Sequence, residues 1–157
     1  MALNITILVG TMTGTADLVA EEVHDRLEAD GHVVEIMPMD GVDAAVFARA
    51  GAFLICSSTY GQGDVPDNAQ GLFAALERDR PDLASLRFGI IALGDRTYAA
   101  TFCQGSKRFD ELLRSLGATR IGEMMAHDAS AGTIPEEVAV AWAAEWVERV
   151  PVREEAA

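Results

Sequence analysis

The sequence predicts a doubly wound α/β domain: a parallel sheet of about five strands with helices on both faces. Three observations predict it. Strand-like and helix-like stretches alternate along the whole chain. The strand candidates at residues 4–10, 51–58 and 87–94 are nearly continuous apolar runs, as parallel strands covered on both faces require. The unusual loops follow strands and do not precede them, and such sheets bind ligands outside the carboxyl ends of their strands.

The elements follow in order. "NITILVG", residues 4–10, reads as the first strand. The first helix follows it. Its Ala16, Val19, Val23 and Leu27 fall on one stripe, and Gly31 is its stop. "HVVEIMPM" is the second strand, with a short helix around residues 43–49 behind it. "GAFLICSS" is the third strand. "NAQGLFAALERD" is a helix begun by Asp67 or Asn68 as cap. "RFGIIALG" is the fourth strand, and a helix over about residues 104–116 ends at Gly117. "TRIGEMMAH" is the fifth strand. The last helix starts near Pro135, a favoured first-turn residue, and runs to about Arg149. Residues 1–150 thus form one unit and 151–157 a solvated tail.

Composition narrows the function. The chain has 157 residues and half are hydrophobic, enough for one proper core. No apolar run approaches the ~20 residues that span a bilayer. The N-terminus lacks a basic region before its first apolar run, so a cytoplasmic protein is expected. Twenty-five acids face twelve Lys and Arg, a formal net charge of −13. Nucleic acid and anionic membranes are poor partners for such a chain. The acidity serves solubility, or a docking face for basic proteins. Cys56 and Cys103 lack metal-ligand spacing and suit a reducing compartment, with a disulfide between them left open.

Three loops carry the chemistry. "GTMTGTAD", residues 10–17, joins the first strand to the first helix. It holds three threonine hydroxyls, a glycine and a helix start, but no lysine or arginine. Helix N-termini offer free N–H groups to an anion. The loop lacks the P-loop lysine and the G-x-G-x-x-G spacing, so it suits a terminal phosphate and not a triphosphate or a dinucleotide. A Thr-capped helix without a ligand is the plain alternative. "STYGQGDVPDN" follows the third strand and "GDRTY" the fourth, and each sets a tyrosine on the ligand edge. Tyr60 and Tyr98 together can sandwich a flat ring.

In these motifs the chain resembles the flavodoxins, the short-chain MioC-like group in particular, and the FMN-binding domain of diflavin reductases. "TMTGTA" is similar to their phosphate loop, "SSTYGQGDVPDN" to their second flavin loop and "ALGDRTYAATFC" to their third. The likeness continues through "GSKRFDELLRSLGATRIGE" and "IPEE" into the last helix. It implies a flavodoxin-like five-stranded sheet, an FMN cofactor and an electron-carrier role. Thr11, Met12, Thr13, Gly14 and Thr15 would hold the FMN phosphate. Ser58, Thr59, Tyr60, Gly61, Gly63 and Asn68 would line the second loop, with Tyr60 against one face of the isoalloxazine. Gly94, Asp95, Tyr98, Phe102 and Cys103 would form the other wall, with Tyr98 stacking. Two departures stand out. Position 16 is Ala, as in the diflavin type, and "AAT" between Tyr98 and Phe102 is one residue longer than the family's pattern.

The resemblance also implies partners: an NAD(P)H-dependent flavodoxin reductase as donor and a redox enzyme as acceptor, meeting a monomer through its acidic surface. Two other functions compete. An FMN enzyme could take hydride from NAD(P)H and reduce quinones, although nothing here supplies a second nucleotide site. A non-redox signalling or binding module could share the fold, although a phosphoaccepting receiver would want an Asp where Cys56 and Ser57 stand. Cys103 reads as inert packing, and so do Trp142 and Trp146, one turn apart on the last helix. His24, His32 and His127 show no ligand spacing, and no catalytic triad or metal site is read.

Overall fold

The computed structural model describes residues 3–10, 15–48, 51–58, 69–94, 104–128 and 134–150. Six strand segments form one sheet: β1 (Asn4–Gly10), β2 (Val33–Pro38), β3 (Ala52–Ser58), β4 (Arg87–Gly94), β5 (Thr119–Arg120) and β6 (Met125–Asp128). All pairings are parallel, in the order β2-β1-β3-β4-β5, with β6 also on β4. Four helices cover it: α1 (Thr15–Ala29), α2 (Gln70–Asp79), α3 (Gln104–Ser115) and α4 (Pro135–Arg149). The expected short helix after β2 is a 3-10 helix at Ala44–Ala48.

Alternation along each strand feeds two cores. Ile5, Ile7 and Val9 of β1, with Leu54 and Cys56 of β3, face α1 and α4. Leu8, Phe53, Ile55, Phe88 and Ile90 face the opposite layer, which holds Leu72, Leu76, Phe109 and Leu113 of α2 and α3. The apolar stripe read on α1 is buried in full: Ala16, Val19, Val23 and Leu27 are all inaccessible to water. Trp146 is buried too, stacked on the half-buried Trp142 with ring centroids 6.0 Å apart. Core packing is therefore the role of this pair.

Two expectations need correction. The helix after β3 starts at Gln70, with Ala69 at its N-cap and no side-chain capping bond. Asp67 and Asn68, the expected caps, lie outside the described residues. The fifth strand is broken into β5 and β6. Phe88 pairs with Arg120 and Ile91 with Met125, so residues 89–90 of β4 lie opposite residues 121–124. Two local features mark the break. Gly122 adopts a left-handed backbone, φ +72. The Arg120 guanidinium folds back, donating to the Gly122 carbonyl at 3.2 Å and to the Asp110 carboxylate at 2.7 Å.

Candidate functional site

The winding of the sheet reverses between β1 and β3, since β2 lies beyond β1 on one side and β4 and the later strands lie on the other. A doubly wound sheet opens its ligand crevice at that point, above the carboxyl ends of the strands. Register brings those ends level. Gly10 pairs with Ser57, Ser57 with Ala92, Ser58 with Leu93 and Gly94 with Asp128. The chain leaves the sheet at Gly10, Ser58 and Gly94, on three neighbouring strands. Neighbouring strands lie about 4.8 Å apart, so the outer two exits are about 10 Å apart, the scale of a fused-ring heterocycle. Residues 11–14, 59–68 and 95–103 connect these exits to α1, to Ala69 at the head of α2, and to α3.

Of the site residues read from sequence, Thr15 is the first residue of α1, Ser58 the last of β3 and Gly94 the last of β4. These three stand at the stems of the three loops. Thr11, Met12, Thr13, Gly14, Thr59, Tyr60, Gly61, Gly63, Asn68, Asp95, Tyr98, Phe102 and Cys103 lie outside the described residues.

The floor beneath the loops was not read from sequence. A Cβ at Gly10 would stand 3.0 Å from Met39 Sδ, 3.1 Å from Ser57 Oγ and 3.3 Å from the Ala69 methyl. A side chain there would press on neighbours from three elements. Ser57 and Ser106 are both fully buried, and the Ser106 hydroxyl donates to the Ser57 carbonyl at 3.0 Å. Small residues at 10, 57, 69 and 106 therefore close the bottom of the crevice. A serine in the first turn of a helix reads as a local cap, so this long-range bond left no distinctive sequence signal.

On the other side of the sheet, Cys56 supports the start of α1. Its thiol donates to the Ala16 carbonyl at 3.5 Å. Burial, with a smaller contribution from the charge of Asp17, pushes the thiol up to about 12. A thiol held protonated is a poor nucleophile and a poor metal ligand. Cys56 is thus packing, in reduced form among the described residues.

The fit to a flavin phosphate can be tested on this geometry. The first helix begins directly after the first loop, so its free N–H groups and its positive dipole end belong to the crevice. No lysine or arginine occurs in residues 3–25. Phosphate binding there would rest on hydroxyls and backbone N–H groups. The floor is close-packed and uncharged. These features fit a phosphate-bearing planar cofactor.

Comparison with known proteins agrees. The pattern of the family described as Flavodoxin matches residues 7–142. The chain belongs to the flavodoxin family. It is 39% identical over 142 residues to "Flavodoxin YqcA" of Escherichia coli strain K12, covering 90% of this chain and 95% of that one. It is 35% identical to "Protein MioC" of the same organism, over 92% of this chain and 96% of that one. A solved flavodoxin from Pseudomonas aeruginosa, a cysteine-to-alanine mutant, superposes with a TM-score of 0.83 at 35% identity, covering 94% and 98% of the two chains. The resemblance read from the three loops is thereby borne out, as is FMN as the cofactor of this flavodoxin. No helix among the described residues is long and apolar enough to cross a membrane.

Proposed function

We propose that this flavodoxin carries electrons from an NAD(P)H-dependent flavodoxin reductase to an acceptor redox enzyme, and meets both through its acidic surface. One observation supports the reading most: the Gly10–Ser57–Ala92 register, which gathers three loop stems around one crevice. FMN supplies the redox chemistry when bound. The chain's own residues bind and orient it. The neutral loop 11–15 takes the phosphate at the start of α1. Loops 59–68 and 95–103 offer Tyr60 and Tyr98 to the two ring faces. The close-packed floor of Gly10, Ser57 and Ser106 keeps water from beneath the ring.

The carrier reading and the hydride-accepting enzyme reading differ in one test. The FMN-loaded protein is mixed with NADPH alone, then with NADPH and a catalytic amount of a flavodoxin reductase. A carrier bleaches only in the second mixture. Rapid bleaching by NADPH alone would replace the carrier reading with the enzyme. A parallel titration of the apo-protein with FMN, riboflavin and FAD tests the cradle, and FMN is expected to bind tightest. Equal affinities for FMN and riboflavin would remove the phosphate argument.

A further inference from the structure

Ser57 touches the stems of all three loops. Its Oγ lies against the position a Gly10 side chain would take, at the exit of the first loop. Its own strand runs on through Ser58 into the second loop. Its carbonyl accepts the buried hydroxyl of Ser106, the third residue of α3, where the chain returns from the third loop. First-turn serines commonly bond within their own helix. Here the hydroxyl leaves the helix and reaches β3, across 49 residues of sequence.

We propose that the Ser106–Ser57 hydrogen bond is a strut that fixes the separation of the second and third flavin loops, and that Ser106 is a positioning residue for the ring. The inference rests on the FMN reading above. A planar ring held between two walls needs both walls at stacking distance at once. Each wall hangs from a stem, and the strut joins the two stems below the ring. Without it the β3–β4 pairing still holds, but the α3 end of the third loop loses its tie to β3, and the fraction of molecules with both walls in place falls. Apparent affinity falls by that same fraction. The phosphate loop hangs from β1 and α1, which the bond does not join. The loss is therefore shared by every flavin that presents the ring, whether or not it carries a phosphate.

The test uses the full-length apo-protein with FMN and with riboflavin, followed by flavin fluorescence, and thermal unfolding without flavin. Ser106→Ala is expected to weaken both flavins by one common factor of roughly three- to tenfold, within the reach of one buried hydrogen bond. Ser115→Ala is the control. It removes the 2.7 Å bond that Ser115 donates to the Leu112 carbonyl and the 3.4 Å bond that it accepts from Arg80, both at the far end of the same helix. It should lower the melting temperature and leave both affinities alone. Ser106→Cys keeps the side-chain shape with a larger atom and a weaker donor; it should weaken both flavins in the same direction, and it carries the test if the alanine variant does not fold. Affinities within twofold of the unaltered protein would overturn the strut, whatever happens to the melting temperature. Loss of FMN affinity alone would overturn it as well, placing the effect in the phosphate loop. Failure of the unaltered chain to bind either flavin would bring down the FMN reading itself, and the strut with it.

Discussion

Trp146 packs its indole against Gly89 so closely that a methyl group there would stand 2.7 Å from its Cε2 atom. The same methyl would lie 3.0 Å from Cη2 of Trp142. Neither ring has an easy retreat, since Trp146 is buried and Trp142 is stacked on it at an interplanar angle of 19°. Gly89→Ala should therefore destabilise the protein by about 1–3 kcal/mol, the usual range for overpacking. Urea unfolding should show a lower midpoint with an unchanged slope. Gly89 lies near the start of β4, about 16 Å of strand from Gly94, so the flavin affinity of the folded variant should hold. A midpoint equal to that of the unaltered protein would mean that the indoles can move aside.

Asp110 holds the broken edge of the sheet. Its Oδ2 accepts from Arg120 at 2.7 Å and from Arg114 at 3.2 Å, while its carboxylate is nearly buried. Asp110→Ala releases both guanidinium groups and unties α3 from β5. A cost of about 1–2 kcal/mol is expected, that of the lost charged hydrogen bonds, because both guanidinium groups keep access to water. Arg114 is half exposed, so Arg114→Ala should cost under about 1 kcal/mol. Arg120→Ala should cost the most, since it leaves the buried carboxylate with the half-exposed Arg114 alone. Equal small effects from all three would show the cluster to be surface decoration.

Cys56 makes stability depend on alkaline pH. Its thiol is raised from 9.0 to about 12 in the folded chain. A group raised on folding contributes stability that is complete below its unfolded value and is lost as pH climbs towards the folded one. The window is therefore pH 9 to 12. Within it the slope attributable to one proton is about 1.4 kcal/mol per pH unit. Other groups titrate there too, so the measurement is a difference. Unfolding free energies of the unaltered protein and of Cys56→Ala should converge as pH rises through this window. Parallel curves would remove the thiol as their cause. Alkylation in the native state should also be slow at Cys56, and should become fast on unfolding.

The parts of this molecule legible in its sequence are those that local periodicity determines. The stripe of α1, the apolar run of β4 and the glycine stops at 31 and 117 sit where the pattern puts them. The order of loops and strands was enough to place the crevice, because handedness leaves few topologies open. The break between β5 and β6 was not legible. At the break Arg120 reaches Asp110, ten positions back, and no window of sequence reveals which partner a guanidinium will choose. The head of α2 lies at the buried Ala69, and the polar residues that the sequence offered as its caps lie outside the described residues. Ser106 escaped notice because a serine early in a helix has an ordinary explanation.

Charge should govern the meeting with partners more than the binding of cofactor. The chain carries a net −13, yet residues 10–16, which hold the phosphate loop, contain no ionisable side chain. Acids also stand in the first turns of two of the four helices that begin at this edge of the sheet: Asp17 on α1, and Glu136 and Glu137 on α4. At an ionic strength of 0.1 M the screening length is about 10 Å, and at 1 M about 3 Å. Steering of a basic partner acts over longer distances than that and is screened away, whereas hydrogen bonds to a phosphate act at contact. Stopped-flow transfer from a reductase with a basic docking face should therefore slow by roughly tenfold or more between low and high salt, as steered encounters do. FMN affinity should change much less. Glu136→Gln with Glu137→Gln should flatten part of the salt dependence and leave the high-salt rate unchanged. It should also cost about 0.3–1 kcal/mol of stability per residue, because each acid faces the positive end of the α4 dipole. The two effects separate cleanly, since helix stability is read by unfolding and steering by the slope of rate against ionic strength. A transfer rate indifferent to salt in the unaltered protein would assign the acidity to solubility alone.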